Sequence, residues 1–541
     1  MKGIILAGGK ADPSLCQIYG DIPTALIPIY GKPIIFHIID KIFSLDISEI
    51  YIAVGYKSDR VKLLVDNFYI SNVKIIYVEV DYTKKPGTSL YKTLKRVKKG
   101  EVLISLADTI IDIDKESLNK GNIVFSSVNY DRSSKWCLVK KNEEENIIKF
   151  IEKKSNKNQD KNEALVGIYL LDDVSIINNS KLSFDNKDFE ISELLKLYNN
   201  SKPLKAVSVN QWLDFGHLDK YQKSKKRLLE ARSFNTLAFD DLLGTITKKS
   251  NHKEKLIAEI NWQLNLPKSL KVLSPRILDY NTNSDNPFIT MEYYSYQTMT
   301  EIWLYATYNY KILNKIIDKI LEILFLFQKE KRDVSRENYQ NIYIRKTDSR
   351  VQEIHKQNDK TFNLFLNGNE EGVIEINGKQ YKSWRLLKER VYKKVDDFYN
   401  EDHNCLIHGD YCFSNLLYDV NSGVLRLIDP RGSWGSSENG DIKYDTAKLR
   451  HSISGDYDYI VNDLFSYKIN DSEITYKVFD RDENNKVKKH FDTVISQKFN
   501  LDHIKLIEGL LFLSMVPLHS NSKNRQILML AKAIELLNLE E

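Results

Sequence analysis

The chain has 541 residues, too many for one hydrophobic core to serve, so two or more domains are expected. A hydrophobic share of 42% excludes a disordered chain. A formal net charge of +5, with Lys and Asp/Glu interspersed, lacks the basic stripe of a nucleic-acid binder. The cysteines Cys16, Cys137, Cys405 and Cys412 match no zinc or disulfide spacing and fit a reducing compartment. The opening MKGIILAGGK has too short an apolar run for a signal peptide, and Ile320–Phe327 and Ile507–Val516 are too short to span a membrane. A cytoplasmic protein without membrane or nucleic-acid partners is expected, with homo-oligomerisation left open.

In chain order, Lys2–Ala7 is an apolar strand running into Gly8–Gly9, and Pro33–Phe43 reads as a helix. Ile50–Val54, Val73–Val80 and Glu101–Leu106 read as further strands, with a helix over Ser89–Val97. Strand, turn, helix, strand at this spacing predicts an α/β domain with a mostly parallel, doubly wound sheet. The charged helix Lys220–Arg232 closes it, which gives domains over 1–231 and 232–541. Ser233–Asp240 and Gly244–Lys248 restart the chain as a hairpin, followed by a helix over Lys253–Gln263. Beyond Tyr308 the chain turns helical, with Leu313, Ile316, Ile317, Ile320, Leu324 and Phe327 on one face. Val373–Ser383, centred on Asn377–Gly378, reads as a hairpin with a tight type I′ turn.

The strongest chemical signal is Leu406-Ile407-His408-Gly409-Asp410, then Asn415, then Leu427-Ile428-Asp429-Pro430-Arg431-Gly432. An Asp and an Asn five apart on a loop can face one pocket, and a second Asp arrives at the end of a strand. Phosphoryl transfer needs one carboxylate to orient the acceptor hydroxyl, and an amide plus a carboxylate to hold Mg²⁺ on the nucleotide phosphates. The run resembles the aminoglycoside phosphotransferase/choline kinase family, with its His-x-Asp-x4-Asn signature and strand-borne Asp. The resemblance implies an α+β protein-kinase-like domain that uses ATP, with Asp410 catalytic and Asn415 and Asp429 as magnesium ligands. It also implies Lys248, with Glu259 on the next helix, as the nucleotide-gripping pair; Lys249 competes, and strand alternation does not decide between them. Ile289-Thr290-Met291-Glu292-Tyr293-Tyr294 looks like the strand that meets adenine, with Glu292 and Tyr294 as cofactor-binding positions. Gly440-Asp441, Tyr444-Asp445, Lys448 and His451-Ser452 resemble a pattern of kinase-like domains from bacterial surface-polysaccharide loci, which makes Asp441 and His451 candidates for the acceptor site.

At the other end, Pro23-Thr24-Ala25-Leu26-Ile27-Pro28-Ile29-Tyr30-Gly31-Lys32-Pro33-Ile34 resembles a segment of the sugar-phosphate nucleotidyltransferases. Ile50–Tyr56, Val102–Asp108, Ile151-Glu152-Lys153, Val166-Gly167-Ile168-Tyr169 and Trp212-Leu213-Asp214-Phe215-Gly216 follow in that family's order. The resemblance implies a GT-A-like domain in which Gly8 and Gly9 approach a nucleoside triphosphate, CTP or UTP by expectation, and Gly87 lies near the base. It implies Asp108 and Asp214 as a Mg²⁺ pair, and Lys153 and Glu152 at the acceptor. The pattern departs at two points: the glycine loop carries Lys10 and no Arg, and Thr24 stands where the family has Lys after Pro. Such cations neutralise charge that builds up in the transition state, so Lys10 is the catalytic candidate in the loop.

Together these readings predict a bifunctional enzyme. One domain phosphorylates a small hydroxyl compound with ATP, and the other couples the product to a nucleotide with release of pyrophosphate, for surface-polysaccharide synthesis. The alternative is a small-molecule kinase whose degenerate N-terminal domain only binds a ligand and regulates.

Overall fold

The computed structural model describes the chain except residues 30, 70–72, 119–120, 129, 131–135, 153–161, 181–186, 231–234, 434–438, 471–472 and 539–541. Two compact units emerge: Met1–Arg227 with Tyr305–Thr307, and Leu228–Leu304 with Tyr308–Glu541. The expected boundary after residue 231 falls within a stretch outside the described residues.

In the first unit, nine described strands form one sheet. Val102–Leu106, Lys2–Ala7, Glu49–Val54 and Lys74–Glu79 lie side by side in that order and pair in parallel. Beyond Val102–Leu106 the direction changes. Glu163–Leu171 runs antiparallel to it and also antiparallel to Ile123–Ser127 and Leu138–Lys141. The sheet is therefore mixed rather than mostly parallel. The strand that runs against its neighbours is Glu163–Leu171, which lies between Val102–Leu106 and Ile123–Ser127 and is antiparallel to both. Glu163–Leu171 is buried at every position, so its apolar run gives no hint of its direction. The helix Pro86–Val97 turns Leu90, Leu94 and Val97 onto a core shared with Ile4, Leu6 and Ile104. The short strand Trp212–Asp214 pairs antiparallel with Thr109–Ile111, setting Asp214 opposite Thr109 and hence beside Asp108.

In the second unit, Asn235–Asp240, Thr245–Ser250, Phe288–Glu292 and Ile277–Asn281 form an antiparallel sheet in that order. The helix Lys253–Leu264 lays Leu256 and Ile260 against Ile289 and Met291. The expected hairpin is present: Val373–Ile376 pairs with Lys379–Lys382, and Asn377 (φ 51°) and Gly378 (φ 75°) adopt the left-handed conformation of a type I′ turn. The helical part includes Tyr310–Lys329, Ile442–Ile453, Leu501–Met515 and Lys523–Leu537. Residues Gly509–Met515 are buried without interruption, which explains their continuous apolar run. Leu416–Asp419 and Val424–Leu427 form a hairpin, and Asn404–Leu406 pairs with Asn439–Asp441. These short ladders fix both ends of the 407–415 loop. No described helix is long and apolar enough to cross a membrane.

Candidate active sites

In the second unit the strand Thr245–Ser250 points Lys248 inward and leaves Lys249 exposed, so Lys248 is the one that meets Glu259. Lys248 Nζ lies 2.7 Å from Glu259 Oε2 and 2.6 Å from Asp429 Oδ1. Burial opposes the charge on Lys248, yet Asp429 and Glu259 outweigh it and hold the ammonium above its usual range. Burial raises the Glu259 carboxyl. Asp429, at the end of its hairpin, has a left-handed backbone (φ 53°), and its side chain is half exposed. A non-glycine residue in that conformation is costly, and such strain gathers at functional sites.

The 407–415 loop is held from beneath by Asp445, which is fully buried and accepts from the backbone N–H of His408 (2.7 Å) and Gly409 (2.9 Å). Asn415 Nδ2 donates to Asp410 Oδ2 at 3.0 Å and to the Asp410 carbonyl at 2.9 Å, and the Ile428 N–H donates to the Asn415 carbonyl at 3.0 Å. The loop and the Asp429 strand are thus stitched together. Lys448 Nζ sits 2.9 Å from Asp410 Oδ1. Burial pushes the Asp410 carboxyl up, but the Lys448 charge and hydrogen bond prevail and hold it well below the usual carboxylate range. The Asp410 carboxylate remains partly open to solvent. Asp410, Asn415 and Asp429 therefore stand on connected backbone, as their spacing predicts. An amide oxygen and a carboxylate are hard oxygen donors suited to Mg²⁺, which takes few protein ligands and completes its shell with phosphates and water.

Other expected residues are enclosed or engaged by neighbours. Asp441 is not an acceptor-site wall: it is buried and caps the helix Ile442–Ile453, accepting from the Lys443 N–H at 2.9 Å. His451 is likewise enclosed, stacked on Tyr457 with ring centroids 4.2 Å apart, and among the described residues neither ring nitrogen has a hydrogen-bond partner. Glu292 ends its strand with its N–H bound to the Arg276 carbonyl at 3.0 Å, and Tyr294 donates its hydroxyl to Glu292 at 2.8 Å.

In the first unit, Asp108 and Asp214 converge. A Cβ added at Gly216 would stand 2.9 Å from Asp108 Oδ2 and 3.3 Å from Asp214 Oδ1. Asp214 Oδ1 accepts from the Gly216 N–H at 2.9 Å, while its buried Oδ2 has no hydrogen-bond partner among the described residues. Burial and the Asp214 charge push Asp108 up to about 6. An orphaned buried oxygen beside a second strained carboxylate is the donor set a divalent cation would satisfy, so the pair fits Mg²⁺.

Around the glycine loop the picture differs from expectation. Gly8 closely approaches Val80, where an added Cβ would meet Cγ2 at 2.7 Å, whereas Gly9 leaves ordinary contact distance to Thr24. Lys10 Nζ is 2.7 Å from Asp21 Oδ1, and Tyr56 and Lys57 bind the same Asp21. Lys57 is a second cation near the loop that sequence reading missed. Gly87 is a packing glycine: its added Cβ would lie 2.5 Å from the carbonyl oxygens of Phe189 and Glu190. Glu152 accepts from Ser192 Oγ at 2.6 Å and pairs with Lys196 at 2.7 Å, along an open cleft that includes Lys85 and Asp188. Lys153 lies outside the described residues.

The nucleotidyl transferase family model matches residues 2–231. The chain is 32% identical over 221 residues to the bifunctional protein GlmU of Methanococcus maripaludis, covering 40% of this chain and 52% of that one. The chain thus spans about half the length of that curated relative. It is 30% identical over 228 residues to the D-glycero-alpha-D-manno-heptose 1-phosphate guanylyltransferase of Campylobacter jejuni, covering 41% of this chain and 97% of that protein. A solved Bacillus anthracis structure, described as a putative glucose-1-phosphate thymidylyltransferase, overlaps 43% of this chain and 97% of its own at 22% identity and a TM-score of 0.38. The family model spans both Asp108 and Asp214, and through residues 2–231 the chain belongs to the nucleotidyl transferase family.

Proposed function

We propose that the chain is a bifunctional enzyme that phosphorylates a small hydroxyl compound and then couples the phosphorylated product to a nucleotide. In the C-terminal unit, the acceptor hydroxyl oxygen attacks the γ-phosphorus of ATP and the bond to the β-phosphate oxygen breaks, releasing ADP. Asp410 orients the hydroxyl and takes its proton, while Lys248, positioned by Glu259, holds the nucleotide phosphates. Asn415 and Asp429 would hold Mg²⁺, which supplies charge neutralisation on the phosphates. The observation that carries this reading is the joined constellation: Lys248 between Glu259 and Asp429, and Asp410 bound to Asn415 on the adjoining loop.

In the N-terminal unit, a phosphate oxygen of the product attacks the α-phosphorus of a nucleoside triphosphate and pyrophosphate leaves. Asp108 and Asp214 would hold Mg²⁺ there, and Lys10 and Lys57 supply positive charge beside the glycine loop. The Campylobacter relative's name, a heptose 1-phosphate guanylyltransferase, favours a sugar 1-phosphate as acceptor and adds GTP to CTP and UTP as candidate nucleotides. Supply of an activated sugar to a surface polysaccharide is the proposed role. A regulatory N-terminal unit is the second reading, favoured by Thr24 and by the pairing of Lys10 with Asp21. Incubating the full chain with Mg²⁺, ATP and a panel of hydroxyl compounds, then adding CTP, UTP or GTP, tests both. ADP followed by pyrophosphate is expected; ADP without pyrophosphate supports the second reading, and neither product refutes both.

A further inference from the structure

The C-terminal edge of the parallel strands in the first unit carries an aromatic pair that the proposed reaction does not yet use. The register sets Leu6 opposite Leu106, Ala7 opposite Val54, and Val54 opposite Glu79. Continued just past the strand ends, it lines up Asp108, Gly8, Gly55 and Val80 in one row. Open α/β sheets bind ligands outside this edge. The Tyr56 N–H donates to the Gly8 carbonyl at 2.9 Å, which ties the neighbouring strand end to the glycine turn. Gly55 draws the far end of the row inward: a Cβ there would stand 2.9 Å from the Gly8 carbonyl oxygen and 3.1 Å from Tyr82 Cβ. Tyr82 therefore springs from the row at the end opposite Asp108, with the glycine turn between them.

Tyr82 is 49% exposed and meets Tyr56 edge to face, with ring centroids 5.0 Å apart and planes at 67°. The turn that carries it is braced, because Asp81 accepts from the Thr83 N–H at 2.9 Å and from the Thr83 hydroxyl at 2.6 Å. Tyr56 is fixed as well. Its hydroxyl donates to Asp21, and the ammonium groups of Lys10 and Lys57 lie 5.3 and 5.6 Å from its ring centroid. The edge thus runs from two carboxylates, past two ammonium groups, to a half-open aromatic ring. A metal-bound nucleoside triphosphate has the same polarity, with charged phosphates at one end and a flat base at the other.

We propose that Tyr82, held edge-on by Tyr56, is the platform on which the nucleobase of the N-terminal site stacks, and that it selects a purine, whose fused rings cover more of the phenol than a pyrimidine does. This rests on the nucleotidyl-transfer reading above. The test is calorimetric binding to the full chain with Mg²⁺, using GTP, UTP and inorganic tripolyphosphate, which carries the phosphates without a base. The wild type is expected to bind GTP more tightly than UTP. Tyr82→Ala is expected to weaken GTP binding about tenfold and to erase that difference, while tripolyphosphate binding changes by less than about twofold. Tyr82→Phe and Tyr82→Trp are expected to keep the wild-type order, because the ring and not the hydroxyl stacks. Lys248 and its partners lie in the other unit, so nucleotide binding there is common to all of these proteins. An equal loss for GTP and tripolyphosphate marks a structural role and overturns the inference. GTP binding that Tyr82→Ala leaves unchanged overturns it too, as does equal wild-type affinity for GTP and UTP. In each of these cases pyrophosphate release by the wild type keeps the nucleotidyl-transfer reading standing. A wild type that binds neither nucleotide overturns both.

Discussion

Lys448 Nζ lies 2.9 Å from Asp410 Oδ1, and the same helix, three residues earlier, presents Asp445 to the backbone N–H groups of His408 and Gly409. One helix therefore grips the loop twice, by its main chain and by its functional carboxylate. The ion pair keeps Asp410 ionised, so in the proposed kinase reaction Asp410 would act mainly by orienting the hydroxyl and would accept the proton late.

Replacing Lys448 by Met should move the acid limb of the kinase pH profile. Removing a neighbouring positive charge disfavours the ionised carboxylate, so the depressed pKa of Asp410 rises. In the wild type, activity should hold down to the lowest pH at which the protein stays folded. In Lys448→Met the fall of kcat/KM should begin at least one pH unit higher. An unchanged acid limb, measured in ATP-coupled assays, would detach Lys448 from Asp410.

Asp445→Ala should unfold the loop locally before it unfolds the domain. It leaves two buried N–H groups without partners, each costing roughly 1–3 kcal/mol. Kinase activity should fall at least tenfold, and amide exchange at His408 and Gly409 should accelerate. Protected exchange at both amides would show that another group supports the loop.

What the sequence made readable here was mostly local. The interval from Asp410 to Asn415 and the strand before Asp429 lie within one short stretch, so their meeting follows from spacing. Lys248 and Lys249 were indistinguishable until the strand's inward face was known, because either alternation satisfies an exposed edge. Lys448 comes from a separate helix, and no periodicity announces that it approaches Asp410. Asp441 and His451 share a motif-like helix with Lys448, yet burial turns them into a cap and a stacked ring. The antiparallel half of the N-terminal sheet was missed because fully buried strands look alike in either direction. The pairing of Asp108 with Asp214 was anticipated only through family resemblance; geometry supplies the physical reason, a two-stranded ladder that seats them side by side.

Gly87→Ala separates packing from base recognition. The added methyl would stand 2.5 Å from the carbonyl oxygens of Phe189 and Glu190, so backbone must move. Overpacking of this kind costs roughly 1–3 kcal/mol. A lowered melting midpoint with an unaltered ranking of CTP, UTP and GTP is expected. Normal stability with a changed nucleotide ranking would return Gly87 to the base pocket.

Asp108→Ala and Thr24→Lys together test whether the N-terminal unit is a catalyst. Asp108 and Asp214 crowd two carboxylates near Gly216, with one buried oxygen unsatisfied, an arrangement that disfavours charge until a cation arrives. Removing Asp108 relieves that crowding, so the variant should be at least as stable as the wild type, while pyrophosphate release should fall by about 10² or more. ADP formation by the C-terminal unit should stay within a factor of two, because its residues lie in the other unit. The sign of the stability change matters: since burial and Asp214 raise the Asp108 pKa to about 6, the ionised pair destabilises the metal-free protein above that pH. Added Mg²⁺ should raise the melting midpoint of the wild type more at pH 8 than at pH 5, and should not raise that of Asp108→Ala at either. Thr24 faces Gly9, with its Oγ1 3.6 Å from the position of a Gly9 Cβ, so a lysine there brings charge to the glycine loop and should increase pyrophosphate release. If Mg²⁺ stabilises Asp108→Ala as much as the wild type, and neither protein nor Thr24→Lys releases pyrophosphate from CTP, UTP or GTP, the N-terminal unit is a binding module and the bifunctional reading falls.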